Sequence, residues 1–206
     1  MKRLRLSASL LRDTQGVAAV EFGLLLIPLM VILLGGADLA HQSYVRSQLQ
    51  GSLSDSARRA SVQDPSFEAE GDTLEQRIEA TVKRAVDPIA PGAEYQIDIS
   101  NFYDFSGVGN PEKLLTDVDD DGVYDADDND CFEDLNDNGA YDLDTGRSGV
   151  GGANDVVFYN ATVEMPRLFP VAGLIGWSDV VSLSVTSAVR NQPYGDQAVP
   201  PVLCGV

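Results

Sequence analysis

Asp117, Asp119, Asp121 and Asp125 place four carboxylates on a short stretch turned by Gly122, and seventeen residues on Asp134, Asn136, Asn138 and Asp142 repeat the pattern around Gly139. Closely spaced side-chain oxygens on a turned loop are hard donors, and calcium takes six to eight such oxygens. In this frame the seventh positions, Val123 and Ala140, would each contribute a backbone carbonyl, and the twelfth positions are Asp128 and Thr145. Neither is the glutamate that closes such a loop with two oxygens, so closure is weakened or must come from Asp144, Asp130 or another segment. The first loop is therefore the better site. The eighth position is tyrosine in both copies, Tyr124 and Tyr141. The alternative is an acidic, disordered linker held open by charge repulsion. Such a linker needs neither glycines in phase nor repeated tyrosines. Without metal, so many carboxylates repel, and the segment should loosen.

A second constellation lies near the start of the chain. Arg12-Asp13-Thr14-Gln15-Gly16-Val17-Ala18-Ala19-Val20-Glu21-Phe22 opens an apolar run that continues to Ala37, in which Glu21 is the only charge. An ionisable group at membrane depth is costly enough to imply a specific role. A bilayer span needs about 20 mostly apolar residues, which Val17 to Ala37 supplies. Lys2, Arg3, Arg5 and Arg12 form a basic flank of the kind retained in the cytoplasm. An ordinary signal anchor shares these features, and so does a cleaved secretory signal, with Gly35-Gly36-Ala37 as its small-residue site. Both leave the isolated Glu21 after Gly16 unexplained.

Two resemblances follow from these residues. Residues 117–145 resemble EF-hand-type calcium loops, and the short interval between copies is more similar to the helix-poor repeats of thrombospondin type 3 or dockerin-like modules than to a sensor EF-hand pair. The basic leader ending in Gly16, with Val17-Ala18-Ala19-Val20-Glu21-Phe22, Pro28 and Gly35, resembles TadE-like minor pseudopilins of tight-adherence (Tad/Flp) pilus systems. That resemblance covers mainly residues 12–40, with a weaker echo at Ser187–Tyr194, where the family has a closing strand. It implies cleavage after Gly16 by a prepilin peptidase, with Val17 as the new N-terminus, Glu21 as its fifth residue and Phe22 next. Glycine suits the cleavage position because it lets a protease approach the backbone closely. The family's equivalent of Glu21 is thought to pair with the free amine of a neighbouring subunit, here Val17. The implied partners are the peptidase, other pilins or pseudopilins, and the inner-membrane assembly platform.

The elements that would position these groups are legible as periodicities. Val45, Leu49, Leu53, Ala57 and Ala60 recur at helical spacing beyond the apolar run, so one helix from Val17 to about Val62 is expected, roughly 70 Å long at about 1.5 Å per residue. Pro28 should bend it. Thr73 with Gln76 resembles a capping box ahead of Leu74, Ile78, Val82, Ala85 and Val86, and Asp87-Pro88 should end that second helix. Tyr95-Ile97-Ile99, Val157-Tyr159-Ala161-Val163-Met165 and Val181-Leu183-Val185-Val189 alternate with polar residues, which predicts three strands. The expected fold class is α+β and pilin-like: a long N-terminal transmembrane and amphipathic helix packed on a small antiparallel sheet, with the calcium loops inserted between the first two strands. The expected parts are a leader, 1–16, a transmembrane helix, 17–40, and a periplasmic or extracellular head, 41–206, with the insert at 117–145.

Charge and cysteine usage narrow the function. The net charge of −18 argues against nucleic acid, and residues 117–144 alone hold 13 Asp or Glu and no Lys or Arg. Cys131 and Cys204, the only cysteines, fall on the side expected to be oxidising, so a disulfide between the insert and the C-terminal tail leads over two buried thiols or one redox thiol. The single histidine, His41, makes a zinc site a poor reading. Leu168, Phe169, Pro170, Val171, Leu174, Ile175 and Trp177 form an apolar loop that either docks on a neighbour or the membrane, or folds back over the sheet. No catalytic constellation stands out, and an enzyme is not expected. Together with the resemblance, these features lead to the expectation of a minor pilin or pseudopilin for assembly of a Tad-type adhesion pilus, single-pass in the bacterial inner membrane with a calcium-stabilised head outside the cytoplasm, which joins or accompanies an extracellular pilus. The alternative is a membrane-anchored calcium-binding adhesion or scaffold protein that does not polymerise.

Overall fold

The structure is a computed structural model and describes residues 16–169, 173 and 176–205. The fold is α+β. Helix α1 spans Val17–Ala60 and α2 spans Leu74–Val86. The strands are β1 (Glu94–Phe102), β2 (Lys113–Thr116), β3 (Cys131–Glu133), β4 (Arg147–Ser148), β5 (Val156–Pro166), β6 (Val180–Arg190) and β7 (Val202–Cys204). They form a four-stranded sheet in the order β4-β1-β5-β6 and a three-stranded sheet in the order β2-β3-β7. The chain divides into two compact units. One holds α1 up to Ser43 together with Arg167–Val180; the other holds Tyr44–Pro166 and the chain from Val181 onward.

Helix α1 is continuous over 44 residues and passes through Pro28 without interruption. In the second unit its residues Val45, Leu49, Leu53 and Ala57, each four positions after the last, are fully buried, and they share one core with Ile78, Val82 and Val86 of α2. The capping box predicted for α2 is formed: the Gln76 N–H donates to Thr73 Oγ1 at 3.3 Å and the Thr73 N–H donates to Gln76 Oε1 at 3.4 Å. Alternation along β5 sends Val157, Tyr159, Ala161, Val163 and Met165 into the same core and leaves Asn160 and Glu164 exposed. Strand β1 pairs antiparallel with β5 from Glu94↔Glu164 to Phe102↔Val156. Leu53 is 0% exposed, so Leu53→Ala should cost about 2–5 kcal/mol through lost burial and the cavity left behind. Leu143→Ala, at a residue 77% exposed, should change stability by less than about 0.5 kcal/mol, and denaturant titration of the two variants beside the wild type checks both values.

Three strands are expected, and seven are present among the described residues. The connection between the first two expected strands is not a plain loop, because it contains β2, β3 and β4. These strands are four, three and two residues long, too short for alternation to register in the sequence. Their partners are also distant: β3 pairs with β7 at Cys131↔Cys204, and β4 pairs with β1 at Asn101↔Arg147. The sulfurs of Cys131 and Cys204 are bonded, closing a sequence separation of 73 residues. Ser187–Tyr194, which resembled a closing strand, carries only the end of β6, and β7 follows it in the chain.

Candidate functional site

The two acidic loops adopt one backbone design. In the first, the Asp121 N–H donates to Asp117 Oδ1 at 3.2 Å and to Asp119 Oδ1 at 3.3 Å, the Gly122 N–H to Asp117 Oδ2 at 2.8 Å, and the Val123 N–H to Asp121 Oδ1 at 2.8 Å. Seventeen residues on, Asn138 donates to Asp134 Oδ1 and Asn136 Oδ1, Gly139 to Asp134 Oδ2, and Ala140 to Asn138 Oδ1, at 3.1, 3.2, 2.8 and 2.8 Å. Gly122 and Gly139 have φ of +78° and +81°, a region that glycine enters without steric cost. The residues two before them, Asp120 and Asp137, both have φ of +58°, which aspartate tolerates better than most residues. The side chains of the first, third and fifth positions thus turn inward by capping the loop's own amides.

A buried carboxylate braces each loop at its second and ninth positions. Asp130, 0% exposed, accepts from the Val118 N–H at 2.8 Å and the Asp125 N–H at 3.0 Å. Glu112, 2% exposed, accepts from the Leu135 N–H at 2.8 Å and the Asp142 N–H at 3.0 Å. Nothing in the sequence marks Glu112, because it precedes its loop and no motif spacing reaches it. Thr145, at the twelfth position of the second loop, is buried and donates its hydroxyl to the Gly107 carbonyl at 2.9 Å, while Asp144 accepts from the Gly146 N–H. The repeated tyrosines join the loops: Tyr124 and Tyr141 stack at 4.8 Å, and the Phe132 ring meets both edge-on at 4.9 and 5.5 Å.

The loops differ in how their donor groups are satisfied. Asp117, Asp119 and Asp121 each offer an oxygen within 4.8 Å of the others. Asp128 places its buried Oδ1 where no hydrogen bond reaches it. Asp125 spends one oxygen on the Asp127 N–H, and Val123 is exposed. In the second loop Asp142 accepts the side-chain amides of Asn136 and Asn138 at 2.9 and 2.5 Å, so neutral donors already occupy its acceptor. The donor set of the first loop, several carboxylates and an orphaned oxygen, fits a hard divalent cation. Carboxylates crowded without one repel.

Protonation follows from the same crowding. Desolvation, then the charges of Asp130, Asp119 and Asp125, raises the Asp128 carboxyl above the ordinary aspartate value. Desolvation and Asp121 do the same to Asp119, and desolvation raises Glu112. Backbone donors from Asp125 and Val118 hold Asp130 below it, and the amides of Asn136 and Asn138 hold Asp142 below it. A raised acid penalises the charged folded state, so stability grows as pH falls through its folded pKa. A lowered acid contributes stability that is present above the ordinary aspartate value and is lost as pH falls from there through its own depressed value. The metal-free protein should therefore melt higher near about pH 4.5–5 than at pH 7, and lose the gain in stronger acid. A melting temperature in chelator that falls from neutral pH downward would contradict this.

The other singled-out residues lie on α1. The Val20 N–H donates to the Gly16 carbonyl at 3.1 Å, Glu21 is exposed, and Phe22 is 63% exposed. An apolar window of α1 has a mean hydropathy of 2.6 and none of it is buried, which makes α1 long and apolar enough to cross a membrane. Residues 16–58 match the family model described as TadE-like protein. The match begins at the glycine that precedes the helix and runs to Arg58 near its end, beyond the 12–40 stretch of the sequence resemblance. It leaves Ser187–Tyr194 and both acidic loops outside. No curated protein and no solved structure matches the chain at a significant level. Over residues 16–58 the chain is thus similar to TadE-like proteins, and the match lies almost wholly on the helix that is long and apolar enough to cross a membrane.

Two features sit around this segment. Residues 1–15 of the expected leader, including Lys2, Arg3, Arg5 and Arg12, lie outside the described residues, as do Pro170, Val171, Leu174 and Ile175 of the apolar loop. Leu168 and Trp177 of that loop are 51% and 62% exposed. Asp38 of α1 is buried and pairs with Arg167 at 2.8 Å, a contact across 129 residues that no local pattern announces.

Proposed function

We propose that the chain is a minor pilin-like subunit, a pseudopilin, that takes part in assembling a tight-adherence pilus. It is made as a precursor whose leader, 1–16, a prepilin peptidase removes. α1 carries it in the bacterial inner membrane, with the head outside the cytoplasm, and the mature chain enters or accompanies the filament. The observation that supports this best is a coincidence at one peptide bond. The family match starts at Gly16, α1 starts at Val17, and Glu21, the only charge between Gly16 and Asp38, is then the fifth residue of the mature chain.

The chemistry of assembly follows from that placement. Cleavage would free the Val17 amine at the start of the apolar helix. The Glu21 carboxylate has no partner among the described residues, and leaving it unpaired in lipid is expensive. The amine of a neighbouring copy or of another pilin satisfies it, and a pair buried in this way fixes the register between helices. Phe22 and the exposed apolar side chains of α1 then pack against neighbouring helices.

Calcium is the second part of the reading. Asp117, Asp119, Asp121, Asp125 and Asp128, with the Val123 carbonyl, would hold an ion in the first loop. Asp134, Asn136, Asn138 and Asp142, with the Ala140 carbonyl, would hold one more weakly in the second. Bound calcium would neutralise the crowded carboxylates, while Asp130, Glu112 and the tyrosine stack hold the loops in shape.

Site-specific photocrosslinking in the native membrane tests the assembly reading. Probes at Ile27 and Ile32, both exposed on α1, should give adducts with other pilins or with a second copy. A solitary, calcium-binding membrane anchor would give none.

A further inference from the structure

Asp38 of α1 fastens the start of the segment Arg167–Val180. It is 5% exposed and its two oxygens accept three hydrogen bonds: Arg167 Nη1 donates to Oδ2 at 2.8 Å, Gln42 Nε2 to Oδ2 at 2.7 Å, and the Leu168 N–H to Oδ1 at 3.0 Å. Arg167 also ties the far end of the segment to the near end. Its Nε donates to the Ser178 carbonyl at 2.7 Å and its N–H to the Asp179 carbonyl at 2.8 Å. The guanidinium is shielded as well, its side chain 14% exposed.

The position of this clamp along α1 gives it meaning. Asp38 is the first charge after Glu21, and it follows Ala37, where the apolar run ends. If α1 spans a bilayer, Asp38 lies where the helix leaves the hydrocarbon. A lone carboxylate or guanidinium is costly there, but a pair whose acceptors and donors are filled is tolerated. The residues flanking the clamp are apolar and turned outward: Leu168 on one side, 51% exposed, and Trp177 on the other, 62% exposed. Tryptophan concentrates at membrane interfaces because its ring is apolar and its N–H wants water or headgroups. Both side chains belong to the same compact unit as the exposed apolar stretch of α1.

We propose that the ends of the Arg167–Val180 segment form an interfacial arm, with Leu168 and Trp177 seated in the headgroup region of the bilayer and the Asp38–Arg167 pair setting the depth. The occupant of this surface is lipid. The arm gives a single-pass chain a second membrane contact, which limits its rotation and tilt. The proposal rests on α1 being a membrane span, and the test separates the two.

Trp177 is the only tryptophan, so its fluorescence reports on the arm alone. The full chain is reconstituted into phosphatidylcholine vesicles whose acyl chains carry bromine at a shallow or a deep position, and the vesicles are floated on a density gradient. The chain should float, with Trp177 emission blue-shifted from that of an indole in water. Shallow bromines should quench it about twofold or more and deep bromines less, as for an interfacial ring. Arg167→Gln should still float, shift its emission to the red and lose most of the quenching. A chain that floats with water-like, unquenched emission overturns the arm and leaves the span standing. Blue-shifted emission that ignores bromine but rises with the protein-to-lipid ratio overturns it in favour of contact between copies. A chain that does not float removes the span and the arm together. Should Arg167→Gln fail to fold, the comparison of shallow and deep quenching in the unaltered chain decides.

Discussion

Replacing Asp119 and Asp121 together by Asn is expected to lower the calcium affinity of the first loop by about a hundredfold, or about 2.7 kcal/mol. The substitution is chosen for what it preserves. Asp119 Oδ1 caps the Asp121 amide and Asp121 Oδ1 caps the Val123 amide, and an asparagine oxygen can do both. Only negative charge and donor strength are removed. Because the three carboxylates lie within 4.8 Å of one another, the metal-free variant should melt higher than the metal-free wild type, while calcium should raise the wild type more. At calcium a hundredfold above Kd, binding stabilises by about 2.7 kcal/mol, a rise of roughly 5–10 °C for a chain of this size. The crossing of the two orders is the signature. Titration calorimetry and thermal melts of the full chain in detergent read both, and equal calcium responses in the two proteins would contradict the site.

Glu21→Ala should abolish incorporation into filaments or crosslinked pilin complexes without preventing membrane insertion. An exposed alanine in an apolar helix is well tolerated by lipid, so the variant should insert at least as well as wild type. What it lacks is the acceptor for a neighbour's amine, and breaking a buried pair from one side costs about 3–5 kcal/mol, more than a hundredfold in an association constant. Glu21→Asp keeps the charge on a shorter arm and should recover part of the function. Glu21→Gln keeps shape without charge and should behave like alanine. Wild-type levels of assembly in the alanine variant would remove the charge pair from the account.

Much of the scaffold around these sites is legible in the chain, and the legible parts share a cause. The apolar run and the 3- and 4-spaced residues from Val45 to Ala60 delimit α1, and the Thr73–Gln76 box starts α2, because both signals are written in neighbouring residues. The alternation in β1, β5 and β6 is readable because one face of that sheet is buried. The loop repeat is readable down to its glycines, whose positive φ the backbone requires. What stays hidden is nonlocal. Nothing near Glu112 marks it as the brace of a loop more than twenty residues later, and nothing near Asp38 points to Arg167. The short strands β2, β3 and β4 depend on partners such as β7 and β1 rather than on their own periodicity. Asp130 was legible only as one candidate for closing a site. Its burial beneath two loop amides gives it a positioning role instead.

The mature N-terminus tests the central claim most directly. Intact-mass and peptide mass spectrometry of the chain extracted from its native membrane should find it beginning at Val17, with residues 1–16 absent. A chain that still begins at Met1, or one that begins after Ala37, would contradict the pilin reading and leave a membrane anchor or a secretory signal in its place.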